Sequence, residues 1–331
     1  MSREAVLRLL AREAGYLSGE KMSLALGISR AAVWKSISAL REAGYEIEAR
    51  TNRGYRLLSL PDTPYPEAIW PLLSDAGLVQ EIIYLDQVDS TNSELKRMAA
   101  SGAPHGTVVI AGEQTGGRGR LGRDFVSLAG KGLFFSLLLR PAAQEATQPV
   151  TRLTAFSAVA VCEAISKVAA VSPRIKWVND VLVGDRKLCG ILTEMAVVGE
   201  MGQVDYVVVG AGVNVHYRAA DFPADVRSQA TSLAMLSDAP HSLVKLAAEL
   251  ILAFSCMYKQ CSVDPAPYVA RYRELSATVG RDILVLRGDK SHPAHALEID
   301  DDCGLVVCYP NGVEETLYYG ETSIRGADGY V

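Results

Sequence analysis

The sequence predicts a multi-domain α/β chain. It should have an N-terminal winged helix-turn-helix, a central mixed α/β domain and a small C-terminal β-barrel. Three observations carry this. The first sixty residues read as three helices and a hairpin. From about residue 80 to 270, apolar strands alternate with helices. The last fifty residues are short strands separated by Asp-Cys-Gly and Pro-Asn-Gly turns, as in a small antiparallel barrel. The expected limits are 1–60 for the head, 61–79 for a linker, 80–274 for the central domain and 275–331 for the barrel.

Within the head, Val6, Leu9 and Leu10 mark one face of a first helix. Ser18 stands where a capping residue opens the second helix, and Gly27 sits at the turn that follows. Ser29 can cap the third, whose Val33, Ile37 and Leu40 fall at helical spacing before Gly44. Asn52 and Gly54 favour the turn of a short hairpin. Helix, glycine turn, helix, hairpin is the winged helix-turn-helix pattern. In such a head Ser29, Arg30 and Lys35 would face a major groove, and Arg50 and Arg53 in the wing would reach phosphate or the minor groove. Charge agrees: the first sixty residues hold ten basic and six acidic residues, the remainder 23 and 32. A basic head on an acidic body implies that only the head meets a polyanion.

The proline-rich stretch from 60 to 71 reads as a linker ending in a short helical element. Beyond it, 81–90 and 107–115 read as strands, with a helix between them that Ser90, Thr91 or Asn92 can cap. A buried strand near 132–140 precedes a strongly apolar helix over 152–169. The stretch 174–198 reads as two strands around a Gly184-Asp185 turn. A β-rich run follows over 204–217, then helices over 241–260 and about 265–275.

Composition, 49% hydrophobic and 21% charged, is that of an ordinary globular protein. No apolar run is long enough for a membrane span, and the amphipathic N-terminus does not read as a signal peptide. The six cysteines form no C-x-x-C pair, which points to reduced, mostly buried thiols in a cytoplasmic protein. His292 and His295 flank a proline in an expected loop without a neighbouring cysteine, so no zinc site is expected there.

The chemistry concentrates in a few stretches. "GGRGRLGRDF" (116–125) joins glycines, which let backbone N–H groups approach a ligand, to arginines, which offer forked donors to phosphate or carboxylate. It lacks the Gly-Lys-Ser/Thr ending of a P-loop and does not open a helix after a strand, as a dinucleotide fingerprint does. By itself it reads equally as an RNA-binding segment, a phosphate lid or a bland loop. "DSTNSEL" (89–95) places three short polar groups at a strand-to-helix junction. "KWVND" (176–180) clusters Lys176, Asn179 and Asp180, and "DRKLCGIL" puts Lys187 at the head of an apolar strand. "VGAGVNV" (209–215) is a glycine-interrupted strand, suited to close approach of a ligand or a second backbone.

Taken together and in order, these motifs resemble those of biotin–protein ligases. The matching residues are Ser90-Thr91-Asn92, then Glu113-Gln114-Thr115 running into the Gly/Arg loop, then Lys176-Trp177 with Asn179-Asp180. They continue with Arg186-Lys187-Leu188, Gly190-Ile191-Leu192, and Gly210, Gly212 and Asn214. "GETSIRG" (320–326) resembles the family's C-terminal SH3-like barrel signature. The segment 28–57 resembles the DNA-binding head of its bifunctional members, the biotin operon repressors. The resemblance covers nearly the whole chain.

It implies a central biotin/lipoate-ligase-like fold that joins biotin to ATP as biotinyl-5′-adenylate. Biotin then passes to one lysine of the biotin carboxyl carrier protein of a biotin-dependent carboxylase. Carried over, Ser90, Thr91, Asn92, Gln114, Arg118, Gly119, Arg120, Lys187, Gly210 and Gly212 would bind biotin. Arg118, Arg120, Arg123, Lys176, Asn179, Asp180 and Asn214 would hold ATP or the adenylate. Asp180 would help to hold Mg²⁺, and Lys187, Arg118 and Arg120 would be catalytic. The family homodimerises, favoured by the adenylate, which would present two heads to operator DNA with the adenylate as corepressor. Alternatives are a ligand-sensing repressor without turnover, a lipoate-type ligase, and a ligase with a vestigial head. The sequence departs from the family pattern at Val178, where proline is usual and valine should relax a turn. It departs also at Leu121 for arginine, Phe125 for tryptophan and Glu298 for glycine.

Overall fold

The computed structural model describes residues 2–13, 15–42, 44–59, 61–74, 77–141, 150–198, 203–288, 290–318 and 322–326. The chain forms two compact units, Met1–Leu72 and Leu73–Val331.

In the first unit, α1 (Ser2–Arg12), α2 (Gly19–Leu26) and α3 (Arg30–Glu42) are followed by the antiparallel pair β1 (Glu46–Arg50) and β2 (Gly54–Ser59). Local chemistry sets these boundaries. The Ser18 hydroxyl accepts from the Lys21 amide at 3.1 Å, Gly27 leaves α2 at φ 64°, and Ser29 Oγ accepts from the Ala32 amide at 3.1 Å. Val6, Leu7, Leu10, Met22, Val33, Ile37 and Leu40 close one core with Tyr45 and Ile47. The expected short helix is α4 (Pro66–Ile69), with proline at its start. Its Glu67, Ala68 and Ile69 are buried within this unit.

The second unit is built on a seven-stranded sheet. Its strands are β3 (Glu81–Leu85), β4 (Thr107–Ala111), β5 (Gly132–Leu139), β6 (Arg174–Lys176), β7 (Asp180–Val183), β8 (Arg186–Val198) and β9 (Gln203–Asn214). Their spatial order is β3-β4-β5-β9-β8-β7-β6. Only β3 and β4 run parallel, joined through α5 (Thr91–Ala100). Alternation along β5 serves two faces. Leu138 packs with Leu95 and Ala99 of α5, while Phe135 stacks on Phe254 with ring centres 5.6 Å apart. Phe254 lies on α8 (Leu243–Cys261), which packs beside the apolar α6 (Val150–Val168). The short α7 (Leu233–Leu236) precedes α8, and α9 (Ala266–Leu275) follows it.

One expectation changes here. The stretch 174–198 holds three strands, because 176–180 folds into a tight turn between β6 and β7. In that turn the Val178 side chain is fully buried and its carbonyl accepts from Tyr272 Oη, while the Trp177 amide and indole donate to Thr278 Oγ1 and to the Cys303 carbonyl.

The C-terminal strands β10 (Asp282–Arg287), β11 (Lys290–Ile299), β12 (Leu305–Cys308), β13 (Glu314–Leu317) and β14 (Thr322–Gly326) form an antiparallel sheet in the order β13-β12-β11-β10-β14. Among the described residues the end strands β13 and β14 do not pair, so the expected barrel is an open five-stranded sheet. His292 and His295 lie on β11 rather than in a loop. Gly320 and Glu321 of the terminal motif lie outside the described residues.

Candidate active site

One cavity of about 250 Å³ lies within the second unit, over the face of the sheet that carries Phe134, Gly190, Gly210 and Gly212. Cross-strand pairing explains why the glycines fall together, since Gly190 pairs with Gly212 and β5 faces β9 with Phe134 opposite Gly212. Alternation puts all of them on one side.

Three walls surround this floor. The first is polar and stands where α5 begins. Ser90 occupies the cap position, but its side chain makes no capping bond. Beside it, the Asp89 carboxyl is held down to about 2 by hydrogen bonds from Arg97. The Thr91 amide donates to Gln114 Oε1 at 2.8 Å, and Gln114 Nε2 donates to Ser127 Oγ at 2.9 Å. Asn92 is engaged inside the wall: its Nδ2 donates to the Leu192 carbonyl at 3.2 Å and to Glu194 Oε2 at 2.9 Å. The polar trio expected to cap a helix thus organises a cavity wall instead.

The second wall is the Gly/Arg loop. It folds back on itself through the Gly119 amide to the Arg123 carbonyl at 2.7 Å and the Phe125 amide to the Gly117 carbonyl at 2.9 Å. Leu121 turns it at φ 56°. Arg118 and Arg123 are exposed, and Arg120 donates from Nη1 to Asn179 Oδ1 at 3.3 Å. Phe125 reaches the floor, where a methyl added at Gly212 would lie 2.5 Å from its ring. A methyl at Gly210 would lie 2.2 Å from Asn92 Oδ1. The close approach anticipated for this glycine strand is therefore met by Asn92 and Phe125 of the chain itself.

The third wall is charged. Lys187 Nζ lies 2.6 Å from Asp180 Oδ1 across the β7–β8 pair. Lys176 is 5% exposed, and burial lowers its ammonium to about 8, against the pull of Asp180. Asn179 donates to the Ile191 carbonyl at 2.8 Å, and Asn214 donates to the Thr231 carbonyl at 3.0 Å. The segment 222–230 closes this side with Phe222, Val226, Gln229 and Ala230; the Lys187 amide donates to the Gln229 carbonyl at 2.7 Å, and the Thr231 amide just beyond it donates to the Lys187 carbonyl at 2.9 Å.

All fifteen residues expected around biotin and ATP lie in the second unit and line the cavity, Asn214 with its side-chain amide turned to Thr231. Sequence reading missed Ser127, Ser136 and Glu194, single polar residues without a motif, and the 222–230 segment. In the head, Ser29 caps α3. Arg30, Lys35 and Arg53 are exposed, and Arg50 pairs with Glu48 at 2.8 Å and covers the ring of Tyr16. The exposed Trp34, also missed, shares the outer face of α3 with Lys35.

Comparison with known proteins agrees with this geometry. Residues 84–214 match the biotin/lipoate A/B protein ligase family, and residues 2–56 match a helix-turn-helix domain. The chain is 35% identical over 301 residues to the bifunctional ligase/repressor BirA of Bacillus subtilis, covering 91% of each chain. It is 30% identical over 318 residues to the BirA of Escherichia coli, covering 94% of each. Among solved structures, the biotin protein ligase from Aquifex aeolicus in complex with biotin and ATP superposes with a TM-score of 0.64 at 25% identity. That match covers 75% of this chain and all of the other. The chain belongs to the biotin/lipoate A/B protein ligase family, among the bifunctional ligase/repressors that carry a helix-turn-helix head.

Proposed function

We propose that this chain joins biotin to ATP and passes the biotinyl group to a lysine of a biotin carboxyl carrier protein, and that its head represses transcription. One observation carries the reading. A single cavity has a neutral hydrogen-bonding wall at one end and a cluster of Lys187, Lys176, Arg120 and Asp180 at the other. That polarity suits a ligand with an uncharged polar ring, an apolar middle and a carboxylate.

In this reading Ser90, Thr91, Gln114 and backbone near Arg118 and Gly119 take the ureido ring, with Gly210 and Gly212 beneath. Lys187 exchanges Asp180 for the biotin carboxylate. Arg118, Arg120, Arg123, Lys176 and Asn179 face the phosphates, and Asn214 lies near the adenine. The carboxylate oxygen attacks the α-phosphorus, and the bond to the β-phosphate bridge breaks as pyrophosphate leaves. Two anions must meet, and the fixed cations screen them. Each well-aimed donor contributes about 3 kcal/mol of barrier lowering. The lysine amine of the carrier then attacks the acyl carbon and AMP leaves. Closing the Gly/Arg loop would shield the mixed anhydride from water.

Magnesium prefers a few oxygen donors and retains water and substrate phosphate. Asp180 supplies such an oxygen, and among the described residues no cluster of three His, Cys, Asp or Glu forms a cage. The donor set fits an ion that arrives on the triphosphate.

In the head, Ser29, Arg30, Lys35, Arg50 and Arg53 would meet operator DNA. Biotinyl-adenylate would favour a homodimer, which presents two heads to a palindrome. Labelled biotin, ATP and a carrier domain test the enzyme: label should appear on the carrier lysine. Adenylate retained without transfer would leave a ligand-sensing repressor. A band shift on the chain's own biotin-gene promoter should strengthen with biotin and ATP. Active ligase without any shift would make the head vestigial.

A further inference from the structure

Behind the polar wall, Ser136 and Glu194, which the proposed chemistry does not use, join the wall residues Asn92, Thr91 and Gln114 in one hydrogen-bonded chain. Glu194 lies on β8, with Lys96 Nζ of α5 2.6 Å from Oε1. Its other oxygen accepts from Asn92 Nδ2 at 2.9 Å, which leaves Asn92 Oδ1 turned towards Ser136 Oγ at 2.6 Å. Ser136 is fully buried on β5 and also lies 2.8 Å from Thr91 Oγ1. Thr91 Oγ1 in turn lies 3.1 Å from Gln114 Oε1.

Donor and acceptor capacity decides where each proton sits. An ionised carboxylate only accepts, so Asn92 must present its NH₂ to Glu194 and its carbonyl to Ser136. A carbonyl only accepts as well, so the one Ser136 proton goes to Asn92. The Thr91 hydroxyl then finds only acceptors inside the wall, Ser136 Oγ and Gln114 Oε1, and its proton is committed there. What Thr91 offers the cavity is a lone pair.

We propose that Glu194 and Ser136 are positioning residues that set the polarity of the ligand-ring subsite, by making Thr91 an acceptor for a ligand N–H. This rests on the biotin reading and adds the element that selects a ring bearing N–H over one without it. A site built to accept a specific N–H discriminates strongly against an analogue lacking it, because a buried acceptor is then left unpaired.

The test compares binding of biotin with that of an analogue in which ring oxygen replaces the ureido N–H groups. Calorimetry on the full chain, with Ser136→Ala, Glu194→Ala and Glu194→Gln, gives the ratio of the two affinities. The parent should prefer biotin by roughly a hundredfold or more. Ser136→Ala and Glu194→Ala should cut that ratio roughly tenfold, chiefly by weakening biotin, while KM for ATP holds. Glu194→Gln can still accept from Asn92 and should retain most of the preference. Melting midpoints identify any variant that fails to fold, and Glu194→Gln with Ser136→Ala keeps the test open if Glu194→Ala does so. Folded variants with the parent's ratio overturn the proposal alone. A parent that binds both compounds equally, or neither, overturns the biotin reading and this proposal with it.

Discussion

Lys187 and Asp180 hold each other at 2.6 Å where the proposed reaction brings a carboxylate and a phosphate together. Replacing Lys187 with Met removes the cation that would take the carboxylate. Loss of a single preorganised donor of this kind costs roughly a hundred- to a thousandfold in kcat, to be read from biotin-dependent turnover with folding intact. Lys176 makes a pH prediction. Burial lowers its ammonium from 10.5 to about 8, so between those values the unfolded chain binds more protons and folding stability rises with pH. The charge that would meet the phosphates fades over the same window. Affinity for ATP should weaken several-fold from pH 7 to pH 9, and Lys176→Met should bind more weakly and flatten that dependence. Gly210→Ala places a methyl 2.2 Å from Asn92 Oδ1, in a side chain bonded at both ends. KM for biotin should rise at least tenfold while KM for ATP changes little. Unchanged biotin kinetics would show that Asn92 can move freely.

At the scale of elements, the Gly/Arg loop is tied to the 176–180 turn through Arg120 and Asn179. Arg120→Gly should leave biotin activation possible but let the adenylate escape or hydrolyse, seen as free adenylate in the medium. Retention equal to the parent's would contradict a closing role. In the wing, Arg50 is paired with Glu48 and packed on Tyr16, whereas Arg53 projects from the turn. Arg53→Ala should therefore reduce the salt slope of DNA binding by about one, and Arg50→Ala by less.

What the sequence could disclose follows the range of each interaction. The helix caps at Ser18 and Ser29 and the turn glycines act over three or four residues, so the head was legible nearly as it folds. The cavity residues were legible where they cluster in short motifs. Ser136 and Glu194 were not, because their partner Asn92 lies 44 and 102 residues away and a lone polar residue in an apolar strand has no local signature. β6 is three residues long, too short for a periodic signal, and its turn is fixed by Thr278, Cys303 and Tyr272 far along the chain. The same long reach defeated the helix-cap reading of Thr91 and Asn92, whose partners are Gln114, Ser136 and Glu194.

At the scale of the whole molecule, a basic head and an acidic catalytic unit share one chain. The adenylate links their proposed activities, since any ligand that binds the dimerising state better shifts the population towards it. The central claim, that one cavity in the second unit activates biotin with ATP, is tested most directly by exchange of labelled pyrophosphate into ATP. Exchange should require biotin and fall roughly a hundredfold or more in Lys187→Met. No biotin-dependent exchange by the folded parent chain would contradict the claim.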